Sequence, residues 1–112
     1  ELIVDQELVF TEISVVLFNE IVSLAPFGVG NPEPVFMSRD VRVTSSKIIG
    51  DHHRRMILTQ AGNSNAKKIN AIQFNAETEH SLRDAFDRIA FKIRWNRWHG
   101  TKTAQLVIED VQ

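Results

Sequence analysis

The sequence predicts a mainly β fold: a small five-stranded barrel preceded by a strand-helix extension. Three observations carry this. Five β-prone runs follow residue 40, one helical stripe precedes it, and a stretch dense in proline and glycine lies between them. At 112 residues the chain suits one compact domain with one core.

Residues 2–10 are β-prone, with Leu2, Ile3, Val4, Leu8, Val9 and Phe10. A helix over about 14–24 follows, because Ile13, Val16, Leu17, Ile21 and Leu24 recur at helical spacing. Thr11 or Ser14 can cap its start. Pro26 ends it, since the residue before a proline is pushed out of helical geometry. Next comes "LAPFGVGNPEPVF", residues 24–36, which carries two glycines and three prolines and forms no regular element. Its Gly28-x-Gly30 fails as a phosphate loop, because Pro32-Glu33-Pro34 stands where a helix should open. The stretch reads instead as a connector of fixed geometry. Gly28 and Gly30 supply tight backbone, the prolines supply stiffness, and Phe27 and Phe36 pack inward.

Beyond residue 40 the period becomes that of strands. Runs at 41–49 and 53–60 flank Gly50-Asp51-His52, a hairpin signal. A polar loop (61–68) leads to a third strand at 69–75. Residues 76–87 suit a short helix with Leu82, Ala85 and Phe86 on one side. Two further strands, 88–98 and 102–111, surround His99-Gly100-Thr101. The order strand, strand, strand, short helix, strand, strand is that of the OB-fold, a five-stranded barrel that commonly binds oligonucleotides on one sheet face and its loops. The expected division is an acidic strand-helix extension with its connector over 1–38, and the barrel over 39–112.

Charge sharpens this division. Residues 1–38 hold six acids and no Lys or Arg, whereas 39–112 hold all 13 Lys and Arg against eight acids. Residues 88–102 carry Arg88, Lys92, Arg94, Arg97 and Lys102 with no acid among them. A polyanion meets such local fields rather than the overall net charge of −1. No apolar run approaches the roughly 20 residues that span a bilayer, so no membrane partner is expected. No basic-then-apolar signal peptide opens the chain. The absence of cysteine excludes disulfides and thiolate metal sites, and is compatible with a reducing cytoplasm.

Two constellations could carry chemistry. Asp51-His52-His53 spells a tripeptide known from metal-dependent phosphoesterases. A bimetallic centre needs several ligands from separated segments. His80 and His99 are isolated here, and Asp84 and Asp87 sit beside Arg83 and Arg88. The tripeptide therefore reads as a hairpin tip, where Asp is favoured for backbone reasons. No metal ligands and no catalytic residues are expected in this chain.

The second constellation is "RIAFKIRWNRWHG". Strand alternation puts Phe91, Ile93 and Trp95 on one face, which reads as core, and Lys92, Arg94, Asn96 and Trp98 on the other. Cations track phosphates and an indole stacks on any base, the combination that single-stranded nucleic acid requires. The competing reading packs Trp98 over a barrel end and leaves the cations solvated. The first hairpin adds Arg39, Arg42, Lys47, Arg54 and Arg55 against Asp40 and Asp51. Arg54 shares the inward parity of Met56 and Leu58, which makes Arg55 the outward residue. The expected contacts to DNA are Lys47, His53, Arg55, Lys92, Arg94, Asn96, Arg97, Trp98 and Lys102.

At Leu24, Pro26, Phe27, Gly28, Gly30, Asn31, Pro32, Pro34 and Phe36 the connector resembles the signature that follows the catalytic domains of RecJ, the bacterial single-stranded-DNA-specific exonuclease. His53, the set Asn96, Trp98 and Gly100, and Gln105, Leu106 and Asp110 are similar to later parts of that family's pattern. The resemblance covers residues 20–112. It implies that the chain is a fragment, an OB-fold domain that helps to clamp single-stranded DNA and feed it to an upstream nuclease core. It further implies that the true DHH motif and Mn or Mg lie in that core, and that the parent degrades single-stranded DNA 5′ to 3′ in recombination and repair. The acidic residues 1–38 would pack against the core. The alternative is a protein-interaction or structural buttress without DNA contact. A third possibility is a self-contained phosphoesterase using Asp51, His52 and His53.

Overall fold

The computed structural model describes residues 4–50, 52–62, 67–76, 82–98 and 100–112, the side chains of 96–98, 101 and 102 excepted. Its elements are β1 (Gln6–Glu7), a 3₁₀ turn (Phe10–Glu12), α1 (Val15–Ser23), β2 (Phe36–Ile49), β3 (His53–Gln60), β4 (Ile69–Gln73), β5 (Ala85–Trp98) and β6 (Thr101–Val111). Ser14 caps α1, its hydroxyl accepting from the Leu17 N–H at 3.2 Å.

Five strands close into a barrel in the order β2-β3-β4-β6-β5, with β5 returning to β2. All neighbours are antiparallel except β4 and β6, which are parallel. This is the OB-fold. Closure needs β2 to serve two partners. Its first half pairs with β5 (Phe36↔Phe91 to Arg42↔Ala85) and its second half with β3 (Val41↔Gln60 to Ile49↔His53). The strand bends where it changes partner. Asp40 takes a left-handed φ of 57° and the β3 register shifts between Val43 and Ser45. Such irregularities coil a long strand around a barrel.

Several boundaries depart from the sequence reading. Among its described residues the stretch 2–10 holds only the two-residue β1, with Phe10 opening the 3₁₀ turn, and the third strand ends at Gln73 rather than at residue 75. β2 starts at Phe36, inside the stretch read as connector, because Phe36–Arg39 find partners on β5. The short helix expected over 76–87 falls partly on residues outside the described set. Its last three positions, Ala85–Asp87, open β5 instead. There Phe86 pairs with Val41 and closes the barrel.

Leu8, Phe10, Ile13 and Ile21 belong to the same buried cluster as Phe36, Met56, Leu58, Phe91, Ile93 and Leu106. The extension is therefore continuous with the barrel interior. β1 adds a parallel partner to β2 at Gln6↔Phe36 and Glu7↔Met37. The buried Ser38 hydroxyl donates to the Leu8 carbonyl at 2.7 Å. Charge follows the same seam, with Glu7 pairing Arg39 at 3.1 Å and Glu33 pairing Arg94 at 2.8 Å. The acidic extension thus lies on basic barrel residues.

In the connector, Gly28 and Asn31 exchange backbone hydrogen bonds at 2.9 and 3.0 Å around Val29-Gly30. Gly30 holds a φ of 85°, which the third position of such a turn requires and which glycine adopts without strain. The Asn31 amide nitrogen donates to the Leu24 and Pro26 carbonyls, both at 2.8 Å, and so ties the turn to the end of α1. Phe27 packs against the core cluster and Phe36 is buried within it.

Candidate nucleic-acid interface

Residues directly opposed on paired strands present their side chains on the same face of the sheet. The register can therefore be followed around the barrel. Lys47 of β2 opposes Arg55 of β3, Arg55 opposes Ile72 of β4, Ile72 opposes Val107 of β6, and Val107 opposes Lys92 of β5. These five residues form one outward band across all five strands. A second band beside it runs Ile57, Asn70, Gln105, Arg94. The inward alternates Met56, Leu58, Ala71, Leu106 and Ile93 are buried.

Two of the four cations on these bands differ from the other two. Lys47 and Arg55 are both exposed and, among the described residues, neither forms an ion pair. Like charges directly opposed across strands are destabilising. A pair kept in that position conflicts with local stability, and such conflicts concentrate where a surface has another task.

His53 and Phe74 extend the band at the hairpin end. His53 Nδ1 accepts from the Asn75 N–H at 3.3 Å, and its ring meets Phe74 edge to face with centroids 5.0 Å apart. Phe74 is 50% exposed, an apolar ring against His53 and one outward position beyond Ile72. Sequence patterning covers Phe74 with the third strand but does not single it out. Its signal is parity: it shares the outward parity of Asn70 and Ile72.

On β5 the picture is more neutral than the run of cations suggests. Lys92 lies 3.1 Å from Glu109 of β6, and Arg94 lies 2.8 Å from Glu33 of the connector. Neither acid falls within residues 88–102, so local sequence could not show these pairs. The backbones of Asn96, Arg97 and Trp98 pair with Thr103, Lys102 and Thr101 in the β5–β6 hairpin. The side chains of Asn96, Arg97, Trp98 and Lys102 lie outside the described set. Trp95 is half-buried on the inner face, its ring 4.4 Å from that of Phe18 on α1.

Beneath Arg55, Arg54 points into the barrel end and is 2% exposed. Its guanidinium donates to the Arg83 carbonyl at 2.7 Å and to Ser46 Oγ at 3.1 Å, and reaches Asp84 Oδ1 at 3.3 Å. Burial pulls its pKa below the ordinary guanidinium value, and the Asp84 carboxylate opposes that shift. Arg54 therefore fastens β2, β3 and the segment before β5 together, and holds the hairpin that displays Lys47 and Arg55. Arg54→Ala should destabilise the fold by about 2 kcal/mol, since hydrogen bonds from a buried charged donor are removed. Asp84→Asn should cost under about 1 kcal/mol, because that side chain is 84% exposed and the pair is screened. Urea unfolding of the two variants measures the difference. Equal losses would place the anchoring in the ion pair rather than in the bonds to the carbonyl and hydroxyl.

No group of three or more His, Cys, Asp or Glu side chains converges among the described residues. Asp51 of the tripeptide lies outside them. Those residues therefore offer no donor set for a divalent cation.

Comparison with known proteins adds the following. The family model described as "RecJ OB domain" matches residues 4–110. No curated protein sequence matches the chain. The crystal structure of RecJ in complex with Mn2+ from Thermus thermophilus superposes with a TM-score of 0.62 at 21% identity, covering 86% of this chain and 13% of that one. The Mg2+ complex of RecJ from the same organism gives a TM-score of 0.61 at 21% identity, covering 86% of this chain and 14% of that one. At such identity the likeness concerns the fold, and the chain spans only that small share of those proteins.

Proposed function

This chain belongs to the RecJ OB-domain family, and on that premise we propose that it binds single-stranded DNA on the outward band of its barrel. The observation that carries the proposal is the cross-strand row Lys47, Arg55, Ile72, Val107, Lys92, flanked by the exposed Phe74 ring. Lys47 and Arg55 meet phosphates without first leaving a carboxylate of the described residues, while the apolar middle of the row and the aromatic ring accept base faces. Lys92 and Arg94 join once DNA phosphate competes with Glu109 and Glu33. His53, Asn96, Arg97, Trp98 and Lys102 continue the path toward the hairpin ends. Asn31 and its neighbouring Pro and Gly residues keep the connector, and with it Glu33, in place.

In this reading the domain clamps DNA and guides it toward a metal-dependent nuclease that hydrolyses single strands 5′ to 3′ in cytoplasmic repair and recombination. The chemistry belongs to nuclease domains of the intact protein. On this reading Mn or Mg would be held in those nuclease domains; the two RecJ structures are Mn2+ and Mg2+ complexes.

A labelled short oligothymidylate, followed by anisotropy, tests the reading. Binding should weaken as salt rises. The expected logarithmic slope is about −2, given roughly 0.7 per phosphate contacted in a single strand and about three such phosphates. Absence of binding at low salt would overturn it.

A second reading has its own observation. Val15, Val16, Val22 and Leu24 are exposed on or beside α1, and Val29 is fully exposed at the tip of the connector turn. An apolar surface among acidic residues suits contact with another protein domain. It supports a buttress against the nuclease domains, which can coexist with DNA binding on the basic surface. No described helix is long and apolar enough to cross a membrane.

A further inference from the structure

A cleft of about 310 Å³ opens between the start of α1, the start of β4 and the base of the β5–β6 hairpin. Its lining includes Lys67, Lys68, Asn70, Trp95, Val15 and Ala104. Among the described residues, no carboxylate lines it. The three other clefts described on the chain each contain at least one: Asp40 and Asp87, Asp5 and Glu20, or Asp110. Cations and an indole without an acid form a distinct chemical environment. It repels neither phosphate nor base.

The details favour a nucleotide. The Lys67 ammonium donates to the Ile13 carbonyl, which holds it at the junction of extension and barrel. Lys68 is exposed and has no ion pair among the described residues, so its charge remains available to a phosphate. The Trp95 ring is braced edge-on by Phe18 at 4.4 Å. A ring held by its neighbours loses little freedom when a base stacks on it. Val15 and Ala104 supply apolar walls. Asn70 belongs both to this cleft and to the band Ile57, Asn70, Gln105, Arg94, so the cleft is continuous with the outward face.

We propose that this cleft is a second DNA subsite, which receives one nucleotide of the strand with its base against Trp95 and its phosphate at Lys68. The proposal rests on the single-stranded-DNA reading above and extends it to residues of the β4 approach and the inner face of β5. A strand crossing the outward band turns past Asn70 into the cleft instead of leaving the surface.

The chain has two tryptophans, so a Trp98→Phe variant reports Trp95 alone. Titration of that variant with a short oligothymidylate should quench its emission over the same concentration range in which anisotropy shows binding. Lys68→Glu should weaken binding at least about threefold and reduce the quench. Lys47→Glu should weaken binding but leave the quench at saturation intact. Measuring Lys68→Glu by anisotropy in the otherwise unsubstituted chain gives a result that does not depend on Trp98. Anisotropic binding without a change in Trp95 emission, or an unaltered affinity for Lys68→Glu, overturns the subsite and leaves the DNA reading standing. Failure of the unsubstituted chain to bind overturns both. Equal quenching by thymidine monophosphate at matched nucleotide concentration would assign the cleft to free nucleotides and overturn its place on the strand.

Discussion

Phe10→Ala should destabilise the whole fold by about 3–5 kcal/mol, the usual cost of emptying a buried phenylalanine site. Total stability for such a domain is about 5–15 kcal/mol, so the loss is a large share. The residue ends the β-prone stretch 2–10, outside the five barrel strands, yet it is 1% exposed. It belongs to the cluster that includes Phe91 and Leu106. Its backbone N–H donates to Gln60 Oε1 at 2.8 Å, and the preceding Leu8 N–H donates to the Met37 carbonyl at 2.8 Å. Cavity formation therefore strikes the barrel interior, and neighbouring hydrogen bonds limit how far the segment can collapse into the gap. Val9→Ala, one residue away and half exposed, should cost under about 0.5 kcal/mol. Urea unfolding by circular dichroism measures both, with an unchanged slope if folding stays two-state. A Phe10→Ala midpoint close to that of Val9→Ala would mean that the extension does not share the cooperative unit.

Much of this architecture is legible in the sequence because alternation and turn chemistry are local. The five strand runs, the Gly50 hairpin and the helix after Ser14 all follow from spacing within a few residues. The opposite orientation of Arg54 and Arg55 follows from parity alone, and Arg54 is buried while Arg55 is exposed. What stays hidden depends on partners distant in sequence. Leu82, Ala85 and Phe86 mimic a helical stripe, but Phe86 is placed by Val41, far earlier in the chain. Phe36 looks like the end of a connector until Phe91 supplies its partner. The same limit governs the site. Lys92 and Arg94 read as a uniform cationic row, whereas Glu109 and Glu33 reach them across the register and from the connector. Lys67 and Lys68 read as loop lysines because Trp95 approaches them only in three dimensions.

Lys47→Glu should change stability and DNA affinity in opposite directions. In the unsubstituted chain Lys47 faces Arg55 directly across β2 and β3, and both are exposed. Reversal replaces a repulsive cross-strand pair with an attractive one, and should stabilise the fold by about 0.2–1 kcal/mol. If DNA binds on the proposed band, the same change takes away one phosphate partner and engages Arg55 with the new carboxylate. Affinity for a short oligothymidylate should then fall roughly tenfold at low salt, with the logarithmic salt slope shallower by about 1.4 because both cations leave the phosphates. Adding Arg55→Glu should bring the loss to roughly 100-fold. Glu33→Gln should act the other way, because it releases Arg94 from its 2.8 Å partner and exposes a further cation to DNA. Thermal or urea unfolding and anisotropy on the same samples read the two quantities separately. A stabilised Lys47→Glu variant with unchanged affinity would locate DNA away from the β2–β3 side of the band. Weaker binding accompanied by reduced stability would instead trace the effect to damaged folding. Only the opposed signs identify a surface on which charge repulsion is tolerated because a polyanion relieves it.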